Sequence, residues 1–171
     1  MIEINLNAAQ VQAELQALQR RIAHPQKLMQ AIATELESQT QQSFADQRQY
    51  GGGEKWEKLS SVTQKLRAKR GHADSPILNI SGGRGLLGSV MSSSTATTAS
   101  VGAGSGKSER YAKMHQFGGK TSSRSMIPNK TIPARPYMPM RLNGSDTELT
   151  PKSSESILGL MRDMVNGKLD G

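Results

Sequence analysis

Cysteine is absent from this sequence of 171 residues. Its absence excludes disulfides, a cysteine nucleophile and thiolate metal sites. Aromatic residues are scarce, limited to Phe44, Tyr50, Trp56, Tyr111, Phe117 and Tyr137. Apolar residues make up 35%, below the roughly 45–50% of ordinary soluble domains. A chain this polar, with 17 glycines, either has long loops or hides part of its stabilising surface against other chains. No run approaches the ~20 apolar residues of a membrane span. The opening MIEINLNAAQVQAEL lacks the basic start and apolar stretch of a signal peptide. The expectation is a soluble protein, made in the cytosol, that does not enter a membrane.

What is abundant is positive charge, and it is unevenly placed. The net charge is +8. Residues 1–46 hold three basic and five acidic groups, and residues 142–171 again hold three and five. Residues 47–70 hold seven basic and two acidic, residues 71–104 one of each, and residues 105–141 eight basic and one acidic. Acidic ends around a basic middle favour an anionic partner, either nucleic acid or an acidic face of another subunit. A solvated surface is the plainer alternative.

Hydrophobic spacing places the elements. Val11, Leu15, Leu18 and Ile22 line one face of a helix over 7–23, capped by Asn7, and the stripe reads as core. After Pro25, residues Leu28, Met29, Ile32, Leu36 and Phe44 stripe a second helix over 26–45 that can pack antiparallel on the first. The run Gly51-Gly52-Gly53 breaks it. Ser61 and Gln64 resemble a capping box, opening a short basic helix with Val62 and Leu66 on its apolar side and Lys65, Arg67, Lys69 and Arg70 on the other. SGGRGLLGSVM suggests a turn into a short helix. The Ser/Thr/Ala stretch 92–101 suggests a hairpin or two short strands, and YAKMHQ a helical turn or short helix closed by Gly118-Gly119. Tyr137, Met138 and Met140 alternate as in a strand, although Pro136 and Pro139 point to an edge. Thr150 and Pro151 open a last helix with Ile157, Leu160, Met161 and Met164 as its stripe, ended by Gly167. The predicted class is α+β, with N-terminal helices and a C-terminal helix packed on a small, mainly antiparallel sheet with extended arms. One domain over 1–171 is expected, divided into helices (1–46), a basic loop and helix (47–75), a sheet region with a projecting loop at 120–133 (76–141) and the C-terminal helix (142–171).

Reactive chemistry finds poor candidates. SGGRGLLGS lacks the Gly-Lys-Ser/Thr ending of a P-loop. Gly106-Lys107-Ser108 has that ending, but Val101 stands where the pattern needs glycine. His24, His72 and His115 have no partner at metal-ligand spacing. No serine sits in a Gly-x-Ser-x-Gly elbow leading from an apolar strand to a helix, and paired carboxylates find poor candidates in a middle with almost no acids. On a helical turn Tyr111 and His115 share a face, so His115 reads as packed and hydrogen-bonded, with Phe117 anchoring the turn in the core.

Four stretches, WEKLSSVTQKLR (56–67), PILNISGGRGLLGSV (76–90), YAKMHQFGG (111–119) and IPARPYM (132–138), form a recognisable series. In this order they resemble the phage virion morphogenesis, or tail completion, family found in Mu-like and related tailed phages and prophages. The last two motifs are the specific ones. Tyr137 stands where the family often has phenylalanine, and SGGRG is looser than the usual glycine-x-leucine turn. Trp56, Tyr111, His115, Phe117, Gly118, Arg135 and Tyr137 are the motif residues, with a structural role. The resemblance implies a non-enzymatic virion protein with no cofactor or metal, synthesised in the host bacterial cytoplasm. It implies a homo-oligomeric ring, hexameric, at the head–tail neck or the head-proximal tail end, needed for tail completion or head–tail joining. Its partners would be neck, connector or tail tube proteins. Lys65, Arg67, Lys69, Arg70, Lys120, Arg124 and Lys130 are the candidates for facing a neighbouring subunit or, transiently, genomic DNA. The alternative function is a basic nucleic-acid-binding module.

Overall fold

The protein is described by a computed structural model covering residues 8–52, 54–80, 85–104, 109–125 and 127–169. Asn7, Gly53, residues 81–84 of the expected turn and the Gly106-Lys107-Ser108 segment lie outside the described residues. Five α-helices and six short strands follow in order among those residues: α1 (Ala8–Ala23), α2 (Gln26–Asp46), α3 (Ser61–Lys69), β1 (Met91–Ser94), β2 (Ala99–Gly102), α4 (Glu109–Phe117), β3 (Gly119–Lys120), β4 (Thr131–Ile132), β5 (Met140–Asn143), β6 (Asp146–Leu149) and α5 (Pro151–Val165). The α+β class is as expected. The sheet is divided into three separate two-stranded antiparallel hairpins.

The long helix α2 organises the rest. Its stripe Leu28, Ile32 and Leu36 packs against Ile157, Leu160 and Met164 of α5 and against Ala99 and Val101 of β2. At the far end of α2, Phe44 joins Trp56, Leu86, Val90, Ala112, Tyr137 and Met138 in a second cluster, which Val101 also borders. Between Leu36 and Phe44 the buried face of α2 turns polar, and Gln39, Thr40 and Ser43 are almost wholly enclosed. Thr40 Oγ1 and Ser43 Oγ donate to the carbonyls one turn back, at 2.8 and 3.0 Å. Ser153 of α5 donates to Gln39 Oε1 at 2.6 Å and shares a 2.8 Å bond with Thr150. Each buried oxygen thus has a partner, as burial requires. Thr150 is also the cap of α5, accepting from Ser153 N–H, with Pro151 in the first turn as expected.

The expectations for α1 and α3 are corrected. The α1 stripe is not core: Val11, Leu15 and Ile22 are 46–61% exposed. The inner residues of α5, Ile157, Leu160 and Met164, already pack against α2, so they do not receive the α1 stripe. Instead of packing along α2, α1 leans on α5, where Arg21 Nη1 donates to the Val165 carbonyl at 3.3 Å. In α3 the cap is Ser60, one residue before the predicted Ser61, and it accepts from Thr63 N–H. The apolar side of α3 points outward, with Val62 66% and Leu66 50% exposed, while Arg67 turns inward and is buried.

The 133–139 segment is not a strand. Pro133, Pro136 and Pro139 recur every third residue, which removes ladder donors and fixes φ. Pairing begins only at Met140, after the last proline, and gives a hairpin with Asn143 opposite Asp146. Its Arg141–Glu148 ion pair, 2.7 Å, is on the surface.

Candidate functional site

Helix α4 and the proline-spaced segment meet in a knot to which all four stretches named above contribute, through Trp56, Leu86 and Val90, Ala112, and Tyr137 and Met138. A proline-spaced segment cannot satisfy itself through a sheet, so side chains from elsewhere must supply the partners. Gln116, buried on α4, presents Oε1 to the N–H groups of Tyr137 and Met138 at 3.0 and 2.9 Å. Gln49, just beyond α2, donates to the carbonyls of Met138 and Met140 at 3.0 and 2.6 Å. The indole N–H of Trp56 donates to the Pro136 carbonyl at 2.9 Å, and the Tyr137 hydroxyl donates to the Ala112 carbonyl at 3.1 Å. Phe44 stands between the two rings, 5.8 Å edge-on from Trp56 and 5.2 Å from Tyr137. Burial pushes the Tyr137 phenol up to about 12, so its hydroxyl stays a donor.

Gly118 makes the close approach possible. Its φ is +70°, and an added Cβ would lie 2.9 Å from Ala134 N and 3.0 Å from the Ile132 carbonyl. Only glycine meets both demands. Phe117 is half-buried and belongs to neither core cluster, so the expected anchor of the turn is instead its neighbour Gln116.

The electrostatics of the knot are unusual for their sign. Arg135 is 5% exposed. Its backbone N–H donates to the His115 carbonyl at 2.7 Å, while Nε and Nη2 reach the carbonyls of Glu57 and Lys58 at 3.0 and 3.3 Å. Arg67 donates from Nη1 to the carbonyls of Ser75 and Pro76 at 2.9 and 3.1 Å, and its buried Nε has no partner. Burial lowers the pKa of both guanidiniums; Arg135 lowers that of Arg67 further, whereas Glu57 raises that of Arg135. His115 stacks edge-on with Tyr111 at 5.7 Å, as the shared helical face predicted. It is packed but not hydrogen-bonded at Nδ1, which is buried without a partner. Burial, and then Arg135, hold its imidazole well below the ordinary 6.5, at about 4, so it is neutral at pH 7.

This arrangement serves cohesion. Its side-chain hydrogen bonds, from Gln116, Gln49, Trp56, Tyr137 and Arg135, all go to backbone groups. Among the described residues no group of three or more His, Asp or Glu side chains is placed to hold a metal. An open concavity lined by Arg20, Arg21, His24 and Lys27 lies where α1, α2 and α5 meet and shares no residue with the motifs. Of the basic candidates, Lys65, Lys69, Arg70, Lys120, Arg124 and Lys130 are exposed; Arg67 is withdrawn into the interior. The 119–132 arm is the β3–β4 hairpin, closed by Thr121, whose hydroxyl accepts from Lys130 N–H at 2.9 Å. Sequence reasoning missed Gln49 and Gln116. Glutamine carries no signal by type, but a segment with three prolines needs outside partners, and that was the available clue.

The fold and the knot define a small α+β protein, and the comparisons say of which kind. The sequence matches the phage virion morphogenesis family over residues 6–166, and the chain belongs to that family. Among its relatives is Mu-like prophage FluMu G protein 2 of Haemophilus influenzae, 32% identical over 164 residues, 95% of each chain. FluMu G protein 1 of the same organism is 35% identical over 106 residues, 62% of each chain. No solved structure matches. Among the described residues no helix is long and apolar enough to cross a membrane.

Proposed function

We propose that this protein is a non-enzymatic structural component of a tailed-phage virion that closes into a ring, hexameric by family resemblance. The ring sits at the head–tail neck or the head-proximal tail end and is needed for tail completion or head–tail joining. The observation that carries this reading is the placement of large apolar side chains on the outer faces of α1, α3 and α5 in a chain with so little apolar content. A chain this poor in core residues gains stability by burying such faces against neighbours. The knot supports the reading by giving the subunit a fixed outline.

Native mass spectrometry and light scattering, on the protein alone and with neck and tail proteins added, test the assembly. A closed oligomer of one size is expected; a monomer under both conditions would sink the ring. Particles made without the protein should show tails that fail to join heads by electron microscopy.

A second reading, a surface for nucleic-acid phosphates, is favoured by one observation. Arg135 ties the 57–58 backbone to the base of the arm, which joins the basic stretches 47–70 and 105–141. It predicts DNA binding whose log affinity falls linearly with log salt. Neutralising Lys65, Lys69, Arg70, Lys120, Arg124 and Lys130 together should flatten that slope, and an unchanged slope would reject this surface.

A further inference from the structure

Two helices carry apolar side chains that the described chain leaves largely exposed, Leu18 of the α1 stripe being half-buried. On α1 these are Val11, Leu15 and Ile22; on α3 they are Val62 and Leu66. Helix α3 meets the rest of the chain through buried Arg67 and half-buried Thr63, and its other residues are in solvent. An exposed apolar stripe at helical spacing on a helix so thinly attached is a face awaiting a partner.

We propose that the two stripes are halves of one contact, in which α1 of one copy lies along α3 of the next. This rests on the ring reading above and names the surface that would build the ring. Charge supports the pairing. Residues 1–19 contain Glu3 and Glu14 and no basic residue, whereas 58–73 contain Lys58, Lys65, Arg67, Lys69 and Arg70 and no acidic one. Glu14, Lys65 and Lys69 are all exposed. On α1, Glu14 flanks the stripe three residues after Val11; on α3, Lys65 flanks its stripe three residues after Val62. With the helices antiparallel, these flanks fall on the same side of the seam, so Glu14 faces Lys65.

The competing occupants fit less well. The outer stripe of α5 (Leu158, Met161, Val165) is flanked by exposed Glu155 and Arg162, one charge of each sign, so it lacks the single-signed flank that α1 and α3 each present. A nucleic acid would set Val62 and Leu66 against phosphates. Because α1 and α3 are different surfaces, the contact is head-to-tail and can close a ring.

The absence of cysteine makes a direct test available. Leu15→Cys and Leu66→Cys are made in separate chains, both at exposed positions, mixed and mildly oxidised. A disulfide-linked dimer is expected in the mixture, with little in either variant alone. Linkage of Leu15→Cys to itself, or its preferential linkage to Met161→Cys, overturns the pairing, as does no linkage at all. Glu14→Lys should weaken self-association about fivefold, the scale of a rim ion pair, and Lys65→Glu in the same chain should restore it. Failure of the second change to restore association overturns the Glu14–Lys65 register. Light scattering on the parent chain separates the two levels. A closed ring without the mixed disulfide sinks this contact alone, and a mixed dimer without a closed ring sinks the ring alone.

Discussion

The indole N–H of Trp56 reaches the carbonyl of Pro136 across 80 residues of sequence, at 2.9 Å. Trp56 is 6% exposed and packs edge-on against Phe44, so one side chain ties the loop after α2 to the proline-spaced segment by both packing and a hydrogen bond. Trp56→Phe keeps most of the packing and leaves the Pro136 carbonyl unpaired. A loss of about 1–3 kcal/mol is expected in urea unfolding. Trp56→Ala should cost about 3–5 kcal/mol.

Gly118→Ala meets a left-handed backbone and two backbone atoms within 3.0 Å of the new Cβ. Those atoms are backbone, of Ile132 at the end of β4 and of Ala134 just beyond it, and cannot swing aside as a flexible side-chain end would. A loss of more than about 2 kcal/mol is expected. Gly102→Ala is the control: its Cβ would meet nothing within 4 Å, and its stability should change by less than about 0.5 kcal/mol. Equal effects of the two changes would refute the close approach.

Gln116→Leu retains volume but leaves the N–H groups of Tyr137 and Met138 buried without an acceptor. Each orphaned donor costs about 1–3 kcal/mol. Thermal unfolding should show a drop well beyond that of an exposed glutamine such as Gln64→Leu.

His115 makes stability fall in acid, and the sign follows from its lowered pKa. Above pH 6.5 the imidazole is neutral in folded and unfolded chains alike. Between 6.5 and about 4 only the unfolded chain takes up the proton, so acid favours unfolding; below about 4 both forms are charged and the loss levels off. The difference amounts to roughly 3 kcal/mol. His115→Gln should lose that much less stability than the parent between pH 7 and 4, as read from denaturant midpoints at each pH. Parallel curves for the two proteins would show that the imidazole is not buried as described.

Much of the fold was legible in the sequence. Helices α2 and α5 were readable because their stripes are long and their ends are punctuated by Pro25, Thr150 and Pro151. The 92–101 hairpin was readable from its threonines. What periodicity could not say is which stripe finds a cover. Val11, Leu15 and Ile22 have the spacing of a core helix, yet α5 is already occupied by α2. Val62 and Leu66 were recognised as an apolar side, but the inward residue of α3 is Arg67, whose guanidinium finds the carbonyls of Ser75 and Pro76. The motif residues were legible through family resemblance. Their mutual geometry was not, because it runs through Gln49 and Gln116 and through backbone carbonyls that any sequence has.

The buried polar layer of Gln39, Ser43, Thr150 and Ser153 has a mechanical consequence. Two apolar helix faces can slide past each other by a turn at little cost, whereas a hydrogen bond as short as that between Ser153 and Gln39, 2.6 Å, tolerates almost no slip. Helix α5 is therefore indexed to α2 like a tooth in a gear. In an assembly of repeated copies, a small error in one subunit's outline accumulates around the circuit. Indexing of this kind is what would let the last copy meet the first.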